Sequence, residues 1–149
     1  MEIKKQLNAL LEKIPFIDLA TVNGDGIPEV RNMLNLRNPG ICTHLKGRFN
    51  AEDFTLFFTT TAHSPKMKQI AANDKASVYV VDPNTMEAAL FLGKVSEVKD
   101  KKLKDSFWHD SWKMYYPKGR DGGEFIMLGF KPEKYKFYDG KFNTLEGGL

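Results

Sequence analysis

Arg31 stands in the second of two strand-like runs, and Thr59-Thr60-Thr61-Ala62-His63-Ser64-Pro65-Lys66 follows the third. The longer stretch reads as a strand that ends in hydroxyls and turns directly into a helix. Ser64 suits the N-cap and Pro65 the first helical position. Lys66 and Lys68 then fall in the first turn, where the macrodipole disfavours cations. Two lysines there make sense if a dianion shares the site. Threonine hydroxyls, an ammonium, free backbone N–H groups and a guanidinium reaching across from a neighbouring strand are the parts of a phosphate cradle. Singly, each of these residues is an ordinary solvated side chain, and only the combination points to an anion.

Other chemistries find less support. No Walker A sequence is present, and Gly24 and Gly26 do not extend to a dinucleotide fingerprint. Cys42-Thr43-His44 could open a metal site, yet no second pair at ligand spacing exists. Cys42 also lacks a base partner for nucleophilic work. His63 sits beside the proposed cradle and reads equally as a turn residue. Phe107, Trp108, Trp112, Tyr115, Tyr116 and Tyr138 could wall a flat ring system. For most of them core packing is the simpler reading, since Trp108 and Trp112 have the i, i+4 spacing of one packed helix face. The Gly-rich basic run from Lys118 to Gly123 reads as a connection.

These residues need a scaffold. Residues 2–13 carry Ile3, Leu7, Leu10 and Leu11 at helical spacing, and Pro15 follows. Strands are expected over 16–22 and 27–36, around the hairpin turn Asn23-Gly24-Asp25-Gly26. Residues 37–53 read as loop with room for one short strand. A strand over 54–60, a helix over 64–73, and strands over 76–81 and 88–98 follow. Asp100 caps a helix predicted to run to Tyr115. A last hairpin, 125–130 and 135–138, is expected to turn at Lys131-Pro132-Glu133.

Short turns between strands predict an antiparallel sheet. Apolar residues fall on both faces of several strands: Phe54, Leu56 and Phe58 oppose Phe57, and Ala89, Phe91 and Val95 oppose Leu90 and Leu92. A sheet facing water would alternate cleanly. The fold class is therefore mainly β (α+β): an antiparallel, closed or half-closed barrel of six to seven strands with peripheral helices, covered in part by a second subunit.

The 149 residues suit one domain over 1–149. The chain is 42% hydrophobic, with 11 Phe and 5 Tyr, so a substantial aromatic core is expected. A net charge of +3, spread along the chain, falls short of the footprint of a dedicated nucleic-acid binder. No apolar run approaches the ~18 residues of a membrane span. The amphipathic start is unlike a signal peptide, and one cysteine suits a reducing compartment. A cytoplasmic location is the expectation.

In order and spacing, several short segments resemble the FMN-binding split β-barrel superfamily, which includes pyridoxamine 5′-phosphate oxidase, and in particular its short general-stress-protein-like branch. They are Ala20-Thr21-Val22, Pro28-Glu29-Val30-Arg31, Phe57-Phe58-Thr59-Thr60, Ser64-Pro65-Lys66, Gln69-Ile70-Ala71-Ala72-Asn73 and Leu92-Gly93-Lys94-Val95. The resemblance spans about residues 7–140. It implies a homodimer with two FMN sites at the interface. It implies that Arg31 and Lys66 hold the FMN phosphate, and that the backbone of Asn32, Met33 and Leu34 runs past the flavin ring. Thr59, Thr60 and Ser64 match further cofactor contacts. The oxidase has Ser-Arg-Lys where this chain has Ser64-Pro65-Lys66, so Lys68 is expected to substitute for the missing arginine. Ala88 stands where the oxidase has a flavin-contacting glutamine. Residues 143–149 carry no counterpart of its substrate-gripping Arg-x-His. The expected function is an FMN-dependent oxidoreductase that does not oxidise pyridoxamine phosphate. The alternative is a non-catalytic flavin, haem or deazaflavin carrier, or a stress sensor, on the same barrel.

Overall fold

The computed structural model describes residues 2–149. Helix α1 (Glu2–Lys13) buries Leu7, Leu10 and Leu11 on one face. Its last carbonyls have no partner within the helix. Two asparagines supply them: Asn35 Nδ2 donates to Leu11 O and, at 2.7 Å, to Ile14 O, and Asn38 Nδ2 donates to Glu12 O and Lys13 O at 3.1 Å. The end of one helix thereby fixes the chain that leaves the second strand.

Strands β1 (Phe16–Val22) and β2 (Pro28–Leu34) form the expected hairpin. Asn23 Oδ1 accepts from the backbone N–H groups of Asp25 and Ile27, and Gly26 takes a φ of +77° that favours glycine. The chain continues through β3 (Leu56–Thr61), α2 (Lys66–Ala72), β4 (Lys75–Val81), β5 (Glu87–Glu97), α3 (Lys101–Phe107), β6 (Phe125–Asp139) and β7 (Thr144–Gly148). The seven strands make one antiparallel sheet in the order β2-β1-β4-β5-β6-β3, with β7 also on β6. The two ends of this path, β2 and β3, come close to each other without pairing. The sheet therefore curls into a mainly antiparallel barrel with an open seam.

Three expectations change. Residues 125–138 form one long strand and not a hairpin. At Pro132 the ladder slips: Leu92 pairs with Lys134 and Gly93 with Pro132, leaving Glu133 as the extra residue of a bulge. Pro132 lacks an N–H and is tolerated at such a bulge. The helix from Asp100 ends at Phe107, where the backbone becomes extended through Trp108 and His109, and a separate 3₁₀ segment covers Asp110–Met114. Residues 37–53 hold no strand, only a 3₁₀ turn at Thr43–Leu45. The seventh strand is β7, in a stretch to which the sequence assigns no element.

The barrel interior is filled by Ile17, Leu19, Phe58, Val78, Phe91 and Phe130, and Leu7, Leu10 and Leu11 of α1 join the same core. A second apolar cluster lies outside the barrel. There Phe125 and Met127 of β6 pack under Leu36, Leu45, Phe107, Trp112 and Tyr116. The outer cover of β3 and β6 thus comes from the same chain. Arg37 and Arg48 pin it in place. Arg37 donates to Asn8 Oδ1 and Thr55 O at 3.1 Å. Arg48 donates to Ser106 O at 3.0 Å and stacks 4.3 Å above the Phe107 ring. Among the described residues, no helix is long and apolar enough to cross a membrane.

Candidate functional site

A cleft of about 650 Å³ opens where the barrel is split. β2 contributes Asn32, Met33 and Leu34, and β3 contributes Thr59, Thr60 and Thr61. The turn into α2 adds His63, Ser64, Pro65 and Lys66, and the 3₁₀ segment and its end add Trp112, Tyr115 and Tyr116. Its volume lies within the ~300–1,000 Å³ of small-molecule sites.

Lys66 points its ammonium back over the end of β3. Nζ donates to Thr60 Oγ1 at 2.7 Å and to Ser64 Oγ at 2.6 Å. An ammonium has three donors, so these bonds leave one uncommitted. Ser64 serves Lys66 in this way and does not cap the helix: α2 starts at Lys66, with Pro65 at the N-cap and no side-chain cap bond. The side chains, and not the seven-residue helix, make the cradle.

Arg31 lies behind Lys66 on the inward face of β2. Nη1 donates to Thr21 Oγ1 at 2.6 Å and to the carbonyls of Glu29 and Leu19 at 3.1 and 3.3 Å, and Nη2 donates to Gln69 Oε1 at 3.3 Å. Among the described residues, neither Arg31 nor Lys66 has a carboxylate within ion-pair distance. Burial and the Arg31 charge both hold the Lys66 ammonium below its ordinary pKa. Burial likewise lowers Arg31, opposed by the Glu29 charge. Two half-buried cations that repel each other, with no carboxylate pairing them, match a dianion such as a phosphate monoester.

Beyond Asn32, His63 and the hydroxyls, the cleft is walled by apolar and aromatic side chains. Trp112 and Tyr116 are buried, while Tyr115 is exposed. Tyr116 is pushed up in pKa by burial, partly offset by a hydrogen bond to Thr59. Such a wall suits a flat, apolar ring system.

Of the nine candidate residues, the structure gathers Asn32, Met33, Leu34, Thr59, Thr60, Ser64 and Lys66 around the cleft, with Arg31 within electrostatic reach of Lys66. Lys68 is exposed and does not line the cleft. Thr61, His63, Pro65 and the three aromatic residues join the lining, and Thr21 and Gln69 hold Arg31. The i, i+4 spacing of Trp108 and Trp112 suggested one packed face. In the structure Trp108 packs on Phe125, whereas Trp112 also reaches the cleft. Thr21 and Gln69 had no local signal, because their partnership joins positions 48 residues apart.

The remaining candidates lie elsewhere. The thiol of Cys42 is buried, which raises its pKa. His44 Nε2 bonds Phe107 O at 2.9 Å, and its ring lies 4.8 Å from that of His109. Among the described residues, no three potential ligands converge on a metal site.

Barrel and seam cleft together define a small split-barrel protein. Residues 3–139 match the family model described as pyridoxamine 5′-phosphate oxidase, and the chain belongs to that family. Solved structures share its fold. A Clostridium acetobutylicum protein related to general stress protein 26 of B. subtilis superposes with a TM-score of 0.80, at 20% identity over 99% of this chain and 95% of that one. A pyridoxamine 5′-phosphate oxidase-related, FMN-binding protein from Nostoc punctiforme gives 0.69, at 15% identity over 99% and 94%. A haem-binding protein from Mycobacterium smegmatis gives 0.70, at 12% identity over 97% of this chain and 57% of that one. No curated protein matches the chain in sequence.

Proposed function

We propose that this chain is an FMN-binding flavoprotein, an oxidoreductase of the pyridoxamine 5′-phosphate oxidase-like group, acting as a cytoplasmic homodimer with its cofactor at the subunit interface. The observation that carries the reading is the pair Arg31 and Lys66, two neighbouring cations without carboxylate partners: Lys66 lines the cleft together with Trp112, Tyr115 and Tyr116, and Arg31 stands behind it, outside the lining but within electrostatic reach. Membership of a family with an FMN-binding structural relative supports the same cofactor.

Arg31 and Lys66 would neutralise the phosphate, and the hydroxyls of Thr59, Thr60 and Ser64 would share its oxygens. Asn32, Met33 and Leu34 would hold the ring system, and Trp112, Tyr115 and Tyr116 would exclude water from it. When bound, FMN supplies hydride transfer, so the chain's part is placement, electrostatics and dryness. Pyridoxamine phosphate is not the proposed substrate, since the cleft's cations serve the cofactor.

Haem is the second reading. It has a structural relative in its favour, and His63 lies at the cleft. Arg31 and Lys66 weigh against it, because they answer a compact dianion.

Arg31→Ala and Lys66→Ala should each weaken FMN binding by about 1.5–3 kcal/mol, the scale of hydrogen bonds to charged groups. Titration of the apoprotein by quenching of flavin fluorescence measures this. A double variant that binds FMN like wild type overturns the phosphate assignment, and a Soret band in the purified protein selects haem. Reduction of bound FMN by NAD(P)H, with repeated reoxidation by an added acceptor, separates an enzyme from a carrier.

A further inference from the structure

We infer that Thr21 and Gln69 are positioning residues that hold the Arg31 guanidinium beside Lys66, making the cleft selective for a phosphorylated flavin over its unphosphorylated form. This rests on the FMN reading above and concerns what holds one of its two cations ready.

The hydrogen bonds leave little freedom. Gln69 Oε1 can only accept. Thr21 Oγ1 lies 2.6 Å from it and must donate its single proton there. The threonine lone pairs are then turned to Arg31 Nη1, also at 2.6 Å. Gln69 Oε1 further accepts from Arg31 Nη2 at 3.3 Å. One threonine and one amide oxygen thus hold both terminal nitrogens of the guanidinium. Thr21 is fully buried, so its hydroxyl has no water to turn to instead.

The Glu29 carboxylate acts on Arg31 by its charge. That carboxylate is held below its ordinary pKa chiefly by hydrogen bonds from Asn23 and Gln69. Asn23 Nδ2 donates to it at 2.9 Å. Glu29 is two residues from Arg31 on the same strand face and would be the guanidinium's natural counter-ion. Among the described residues no ion pair joins the two, and the guanidinium donates to Gln69 Oε1 at 3.3 Å and to Thr21 Oγ1 at 2.6 Å instead. Arg31 therefore keeps its charge available next to Lys66, and the mutual repulsion of the two cations is relieved when a dianion enters.

The apoprotein is titrated with FMN and with riboflavin, following flavin fluorescence. Thr21→Val keeps the shape and removes the hydroxyl, and should weaken FMN about tenfold, the loss of one charged hydrogen bond, with riboflavin unchanged. Gln69→Glu gives Arg31 a counter-ion and should weaken FMN at least as much. Thr21→Ser should restore wild-type selectivity. Thermal melts of the apoproteins report folding, so a loss caused by unfolding is recognised and the Gln69 variant carries the test. Wild-type FMN affinity in Thr21→Val and Gln69→Glu overturns the inference, as does an equal loss for both flavins, which marks a purely structural role. Wild-type protein that does not prefer FMN over riboflavin instead removes the phosphate reading itself.

Discussion

Lys66 carries its ammonium where charge is disfavoured. Burial is the larger cause and Arg31 the second. A lysine whose folded pKa is depressed binds fewer protons in the folded than in the unfolded chain between that lowered value and the ordinary 10.5. Stability of the apoprotein attributable to this group therefore rises with pH through that window. Below the window both states are protonated, and the cost of burying the charge is present in full. Cofactor binding has the opposite sign. A phosphate monoester is doubly ionised above about pH 6, and Lys66 answers it only while protonated. FMN affinity should hold from about pH 6 up to the lowered Lys66 pKa and then fall at a pH below that of an ordinary lysine. Lys66→Met should bind more weakly and lose this alkaline limb. Fluorescence titrations of both proteins across the range check it, and an alkaline limb that persists in Lys66→Met assigns the titration to another group.

At the scale of elements, the sheet depends on one close approach. A Cβ at Gly93 would lie 2.1 Å from Lys131 O and 2.8 Å from Pro132 Cα. The bulge at Glu133 draws β6 against β5 there, and neither contact is a flexible side-chain end. Gly93→Ala should therefore destabilise the protein by at least about 2 kcal/mol, within the range for overpacked sites. Urea denaturation should show a lower midpoint with an unchanged slope. The same bulge explains what the sequence concealed. Lys131-Pro132-Glu133 has turn composition, and local chemistry alone favours a hairpin. Only the ladder to β5 shows that the strand passes through. The stop of α3 at Phe107 was equally hidden, since neither Gly nor Pro marks it. His109 caps the next segment, its ring accepting from Ser111 N at 3.2 Å, and His44 holds Phe107 O. The first hairpin, α1 and most of the cradle were legible because their signals are local: Asn-Gly-Asp-Gly, helical leucine spacing, and the Thr-Thr…Ser-Pro-Lys run. Trp112, Tyr115 and Tyr116 stand out in the sequence as a possible ring wall, although packing is the simpler reading there; Thr21 and Gln69 act through each other across the fold, which leaves no local pattern.

At the scale of the molecule, the outward face of β1, β2 and β4 is more apolar than one chain needs. Register places Ala20 opposite Val30, Phe16 opposite Leu34, and Asp18 opposite both Asn32 and Tyr79. Alternation puts these side chains on the face opposite Leu19 and Met33. Val30 is 68% exposed, Phe16 49% and Tyr79 39%. The hydrogen-bonded pair Asp18 and Asn32 interrupts this face, yet exposed apolar side chains on both sides of that pair suit a contact surface. A homodimer is the proposed occupant, and a stable one would cover roughly 800 Å² on each chain. β2 couples this face to the cleft, because Asn32, Met33 and Leu34 line the cleft just beyond Val30. Val30→Glu would set like charges against each other across a symmetric interface. Sedimentation equilibrium should show a shift from dimer to monomer. If the partner completes the cofactor site, FMN affinity should fall in parallel, and raising the protein concentration should restore both together. A monomeric variant with undiminished FMN affinity would mean that one chain holds the cofactor unaided. A variant that stays dimeric would move the contact surface off this face.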